Sequence, residues 1–359
     1  MSNAKRILIF GPIAVLTLLA LTFSVYWFVI AGRISSELER HNGNEIVPAI
    51  TLQFAEKNIS GFPFRFDVSL SDVTLAARSD ATTRSWQSEI IALHAASYGR
   101  EAYLLEADGL QIFTWPAEDG ASQHILQMTS GITRANIILE DNRLVRFNID
   151  ILNAEGIDAS SNAVAMREFR IARAQIQLLA EENDTIAVAA ELDAGEIGAG
   201  YRPALGTNLS RVRVTGRISQ ADLFHELRAG NAELHTTLDA WRNAGGAITL
   251  DPIEAAWGGT LLMGRAELTL DDEHRFAGLV TASPEDPVSF LGALAQSQMI
   301  PDSARAQLAG FREMAAGLPG NLNLPIRLET HFPLSEGPVT PQLRIEGMSG
   351  IVVEFGTAP

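Results

Sequence analysis

The strongest constraint on this chain is a run of 24 residues, Ile7 to Ile30, that carries no charge and directly follows Lys5 and Arg6. A stretch this apolar must satisfy its backbone internally. As a helix rising about 1.5 Å per residue it reaches about 36 Å, enough to cross a hydrocarbon core of about 30 Å. A secretory signal peptide also begins basic and apolar, but its apolar region is usually only about 7 to 15 residues long. The run is therefore read as an uncleaved transmembrane anchor within residues 1–32, although a cleavage-like Val29-Ile30-Ala31 closes it. Tyr26 and Trp27 suit the lipid–water boundary, and Gly11 and Pro12 fall in the first turns, where a missing donor costs little. Lys5 and Arg6 outweigh Arg33 on the far side, so the positive-inside rule puts the N-terminus in the cytoplasm and the bulk of the chain outside.

The exterior part is acidic and free of cysteine. Beyond the anchor lie 25 basic against 43 acidic residues, a net charge of −18, and such a field repels nucleic acid and anionic head groups at long range. A membrane-surface or DNA-binding role is therefore disfavoured, and no nucleic-acid partner is expected. With no cysteine there is no disulfide framework, thiolate metal site or cysteine nucleophile. Lys5 and Lys57 are the two lysines, every other basic residue being arginine, a usage read as genomic bias rather than phosphate recognition.

After a segment from 33 to 58, read as a short juxtamembrane helix interrupted by Gly43 and Pro48, the hydrophobic period becomes two. Phe62, Phe64, Phe66, Val68 and Leu70 alternate with polar residues, then the pattern slips by one at Asp72 before Val73 and Leu75, the mark of a β-bulge. The same alternation recurs at 145–151, 169–192, 212–218 and 324–332. One apolar and one polar face, repeated, is the signature of antiparallel sheet; buried parallel strands would be apolar throughout. Helical periodicity predicts elements near 220–229, with Ser219 in a capping-box-like start, 237–244, 287–298 and 301–316. No Ser/Gly/Pro-rich linker divides the chain. The predicted fold is α+β and mainly β: an anchor, then one domain over 59–359 built on a long curved antiparallel sheet, with several helices in the C-terminal half. Alternation alone leaves an open trough, a closed barrel and two stacked sheets equally available.

Two segments carry a family likeness. Asn58-Ile-Ser-Gly-Phe-Pro-Phe-Arg-Phe-Asp67 behind a single anchor, and Gly245-Gly-Ala-Ile-Thr-Leu-Asp-Pro-Ile-Glu-Ala-Ala-Trp257-Gly258 followed by Leu268-Thr-Leu-Asp-Asp272, resemble the domain-of-unknown-function 2125 family of alphaproteobacterial envelope proteins. The resemblance spans nearly the whole chain and implies a periplasmic protein anchored in the inner membrane, with no catalytic residue to carry over. The Gly61-Phe62-Pro63 motif is also similar to what AsmA-like envelope proteins show after their anchor, which implies by analogy of architecture a curved sheet with an apolar trough for lipid.

No constellation for catalysis stands out, and no enzyme activity or cofactor is expected. The seven histidines form no pair at metal-ligand spacing on a helix face, HExxH is absent, and neither a G-x-S-x-G elbow nor a nucleotide-binding glycine pattern occurs. His274 beside Asp271, Asp272 and Glu273 offers oxygen and nitrogen ligands, but a polar hairpin turn explains it more simply. Arg211, Arg213 and Arg217 form a basic stripe, read as the solvated face of an ordinary strand.

The lipid-binding candidates are Phe62, Phe64, Phe66, Val68 and Leu70. They either line an apolar trough that receives an acyl chain or are core beneath the juxtamembrane helix. The expected partners are the bilayer, through Ile7 to Ile30, and lipid-like molecules bound along the sheet. The alternative is a scaffold that binds other envelope proteins through a sheet edge or its late helices.

Overall fold

The computed structural model describes residues 3–47, 50–79, 82–99, 101–116, 122–141, 143–159, 167–198, 200, 205–225, 234–272, 274–296, 312–313, 326–329, 332–333, 341–345 and 351–355. Helix α1 (Asn3–His41) is continuous. Its residues Val15, Leu16, Leu18, Leu19, Leu21, Val25 and Phe28 point outward, and it is long and apolar enough to cross a membrane, as a single-pass anchor or a signal sequence would be. The helix ends where Gly43 adopts φ 80°, the left-handed conformation that closes helices. The part of the expected 33–58 helix after Gly43 is instead strand, in β1 (Asn44–Val47), β2 (Ile50–Gln53) and β3 (Glu56–Ser60). Asn42 fixes this exit: its Oδ1 accepts from Phe54 N and its Nδ2 donates to Phe54 O, at 3.0 and 3.1 Å.

Long strands follow: β4 (Arg65–Ser79), β5 (Thr82–Ala96), β6 (Glu101–Pro116), β7 (Gln123–Thr129), β8 (Ile132–Glu140), β9 (Arg143–Asp158), β10 (Arg167–Glu181), β11 (Thr185–Ile197) and β12 (Asn208–Ser219). Then come β13 (Ile248–Trp257), β14 (Thr260–Leu270), β15 (Arg275–Pro284), β16 (Ile326–Glu329), β17 (Phe332–Pro333), β18 (Pro341–Ile345) and β19 (Ile351–Phe355). They form one sheet in which most successive strands pair antiparallel as a meander; at its C-terminal end β15 pairs with both β16 and β17, β16 pairs parallel with β19, and β18 pairs with β19. β7 and β8 act as one interrupted strand, both lying between β6 and β9. β2 and β3 likewise share β4.

The slip read at Asp72 is one point on a line that crosses the sheet. Asp72 (φ 50°) lies between the β2–β3 break at Phe54-Ala55 and Glu89 on β5. The line continues through Gly109 (φ 79°), the β7–β8 break at Ser130-Gly131, Asn153 (φ 52°), Ala172, Ala194 (φ 50°) and Ser210. A one-residue slip in a single strand would send its apolar side chains to the wrong face. Because all these strands slip together, register survives and the apolar face is continuous: Phe66, Val68 and Leu70 pass to Val73 on β4, and Phe147, Ile149 and Ile151 pass to Ala154 on β9. Ala194 lacks the short polar side chain that eases a left-handed backbone, which costs an ordinary L-residue about 1–2 kcal/mol. Ala194→Gly is expected to raise stability by about 0.5–1 kcal/mol, whereas Ala189→Gly, within the regular part of β11, lowers it by a similar amount. The shift of the urea midpoint in detergent checks both signs.

The core lies where α1 crosses the apolar face. Trp27 and Ala31 pack with Phe66, while Ile34 and Leu38 pack on a cluster of Phe54, Val68, Leu70, Val73 and Ile91. Lys57 ties helix to sheet, its Nζ 2.6 Å from both oxygens of Ser35 and 2.7 Å from Glu39. This compact ammonium meets three acceptors at once, a geometry for which arginine's flat fork is less suited.

The helices of the exterior part are fewer than expected among the described residues. They are the 3-10 turn Ala221–Leu223, α2 (Leu234–Asn243) and α3 (Pro287–Gln296). Of the helix expected over 220–229, residues 224–225 are helical behind the 3-10 turn, and 226–229 lie outside the described residues. Ser219, read as its cap, closes β12 instead, its Oγ accepting from Ala247 N at 3.0 Å, and the turn starts from a left-handed Gln220 with no side-chain cap. The α3 N-terminus is capped by Asp286, which accepts from Ser289 Oγ (2.6 Å), Ser289 N (3.0 Å) and Val288 N (3.1 Å). The hydroxyl bond first, and the backbone bonds after it, hold that carboxyl below its ordinary pKa. The helix expected over 301–316 lies outside the described residues apart from 312–313.

Candidate functional site

Phe66, Val68 and Leu70 are buried beneath α1 and serve as core, so a trough on that face is not open at these positions. Phe62 and Phe64 precede β4, in the turn after Gly61, and are 48% and 67% exposed. The apparent five-residue alternation therefore joins two environments, because the strand begins only at Arg65.

The open concavity is on the opposite face. A groove of about 800 Å3 runs from Phe64 across β5, β6, β8, β9 and β10, and a smaller one of about 210 Å3 continues it over β11 and β12. Cross-strand pairing arranges its floor in rows. Nearest the α1 end, Ala96, Ala102, Ile138, Arg146 and Leu179 lie side by side. The next row holds His94, Leu104, Asn136, Asn148, Gln177, Ala189 and Thr215. In the third register row Gln175 lines both grooves and Glu191 and Arg213 the smaller one, while Arg134 and Asp150, beside them on β8 and β9, lie outside the lining. Along the strands the floor thus passes from a row that is apolar apart from Arg146 to an amide row, with Glu191 and Arg213 reached only in the smaller groove.

Most of the charged groups pair with one another, Arg146 in the row nearest the α1 end being outside these pairs. Asp150, its side chain 7% exposed, sits 3.1 Å from Arg173 and 3.4 Å from Arg134. His94 lies between Asp67 (2.6 Å) and Glu106 (3.4 Å), and Arg65 meets Asp67 at 2.6 Å. Arg211, Arg213 and Arg217, the basic stripe, pair across β11 and its turn with Asp193, Glu191 and Glu181. Hydrogen bonding to Glu191 and Glu181 raises the pKa of Arg213 and Arg217 above the ordinary arginine value. With the arginines so paired, the polar character of the middle row comes mainly from neutral amides, of which Asn148 also accepts from Gln175 Nε2 at 3.3 Å. Such a row offers hydrogen bonds from neutral groups next to apolar ones, with the Arg146 guanidinium in the adjoining row.

The sequence reading missed this face because its residues occupy the ordinary solvent positions of amphipathic strands. The available signal was the repeated use of amides, Asn136, Asn148, Gln175 and Gln177, where a solvated strand usually carries charge. Nor does His274 stand with its own acidic turn alone: Nε2 lies 3.0 Å from Asp239 Oδ1 and Nδ1 lies 3.3 Å from His235 Nδ1, while Arg242 engages Asp272. Among the described residues no group of three or more potential ligands is placed to hold a metal ion.

A family model described as an uncharacterized protein conserved in bacteria, DUF2125, matches residues 27–335. The chain belongs to the DUF2125 family. The match begins at Trp27, the α1 residue that docks the helix on the sheet, and covers the groove of this DUF2125 member completely. No curated protein and no solved structure matches, and these comparisons do not carry the likeness to AsmA-like proteins.

Proposed function

We propose that this DUF2125 member is a non-enzymatic envelope protein, held in the inner membrane by α1 with its sheet on the periplasmic side, that binds lipid-like molecules in the groove beginning at Phe64. The observation that carries the reading is the gradient along the groove floor. Apart from Arg146 the row nearest the apolar part of α1 is hydrocarbon, and the amide row, then Glu191 and Arg213 of the smaller groove, lie further from it. An amphiphile leaving a bilayer around α1 would meet surfaces of matching polarity in that order. Retention of the anchor is supported by Trp27. It is 4% exposed, stacked on Phe66 at 5.3 Å and donating from Nε1 to Arg65 O at 2.9 Å, and cleavage at Ala31 would remove it.

The test is photo-crosslinking from benzoylphenylalanine placed at Gln177 in the groove and at Gln123 at the other end of the strands, with adducts from native membranes identified by mass spectrometry. Lipid adducts at position 177 and none at 123 are expected. Absence of lipid at 177 overturns the reading.

A further inference from the structure

The sheet's turns at the α1 end differ in chemistry according to their distance from the helix. The turn 61–64 presents Phe62 and Phe64, and the turn 97–99 presents Tyr98, at 48%, 67% and 64% exposure. The following turns at the same end, Asp141 and Glu182-Asn183-Asp184, are acidic. The aromatic turns also reach down beside the membrane-crossing part of α1. Phe62 stacks on Phe28 at 5.5 Å between ring centroids, and Tyr98 meets Phe23 edge-on at 6.4 Å. Phe28 and Phe23 precede Arg33, the first charge after the apolar run, by about 7 and about 15 Å along the helix axis. With Arg33 among the head groups, whose layer is about 5–8 Å thick, these rings fall at the head-group boundary and within the hydrocarbon.

Insertion of loops into lipid is normally barred by unpaired backbone groups. Here the two turns bond to each other and to the helix. Ser97 N donates to Phe64 O (3.1 Å), Ser97 Oγ to Pro63 O (3.0 Å), Arg65 N to Gly61 O (3.1 Å) and Trp27 Nε1 to Arg65 O (2.9 Å). The Arg65 charge is paired with Asp67. We infer that Phe62, Phe64 and Tyr98 form an aromatic foot that is inserted in the near leaflet of the bilayer spanned by α1, holding the sheet upright on the membrane. Phe62, beside Phe28, brings an apolar ring to the acyl boundary, and the Tyr98 ring, beside Phe23, lies deeper in the leaflet. This contact depends on the turns and α1 alone, and stands whether or not the groove takes a ligand.

The absence of cysteine makes the test direct. The full-length chain, with a single nitroxide-labelled cysteine at Phe64→Cys, Tyr98→Cys, Asp184→Cys or Gln123→Cys, is reconstituted in phosphatidylethanolamine–phosphatidylglycerol vesicles. Collision with oxygen, which concentrates in lipid, is compared with collision with a water-soluble nickel chelate. Labels at 64 and 98 are expected to favour oxygen several-fold, and labels at 184 and 123 to favour nickel. The replaced side chains at 64 and 98 are exposed, so the fold is retained, and unchanged protease resistance of each variant confirms it. Nickel-dominated collisions at both 64 and 98 overturn the inference.

Discussion

Replacing Trp27 with alanine is expected to lower the stability of the folded sheet by about 3–5 kcal/mol, the usual cost of deleting a buried large aromatic ring. The residue lies in a helix that would otherwise be a simple tether, yet its indole is buried against Phe66, with Phe28 and Phe62 ring-on-edge at 5.2 and 5.5 Å. Loss of the ring opens a cavity between helix and sheet and leaves Arg65 O without its indole donor. Trp27→Phe keeps most of the area but not the bond, and should cost about 1–2 kcal/mol. Pulse proteolysis across a urea series, on full-length protein in detergent, reads both. An unchanged midpoint for Trp27→Ala would mean that α1 carries the sheet without packing on it.

Trp241→Ala is expected to cost a similar 3–5 kcal/mol, at the far end of the sheet. Trp241 is 2% exposed on α2, and its Nε1 donates to Ser219 O at 2.7 Å. Gly246 lies directly against the ring: a Cβ there would clash with Trp241 Cε2 and Cδ2. Gly246→Val should therefore expel the indole and reproduce most of the alanine effect from a second position. The same proteolysis assay should show β12–β14 cleaved early in both variants while the α1 end stays protected. Equal protection of all segments would show that α2 contributes little to holding those strands.

These two tryptophans mark the limit of what could be read from residues in order. The apolar run of α1 announced a membrane-crossing helix by length alone, but Trp27 looked like an interfacial belt residue, and its partner Phe66 is 39 positions away. The alternation from Phe66 to Leu70 was legible because every second side chain faces one way in a strand. That Phe62 and Phe64 depart from it was not, because where a strand starts depends on pairing with β3 and β5. Ser219 resembled a helix cap, but closure of β12 onto the segment before β13 took its hydroxyl first. The slip at Asp72 was visible. Its companions at Asn153, Ala172 and Ala194 were not recognised as one feature, since only cross-strand register aligns them.

The sequence by itself determined a helix long and apolar enough to cross a membrane, the antiparallel class, the apolar and polar faces and the family, because each rests on local length, periodicity or motif. Tertiary structure alone decided which apolar face α1 covers and how the bulges line up. It also decided which polar residues from seven strands meet in one groove. The physical reason is that strand residues acquire their neighbours across the sheet rather than along the chain: Asn136, Asn148 and Gln177 become one surface only after hydrogen bonds fix the register of β8, β9 and β10.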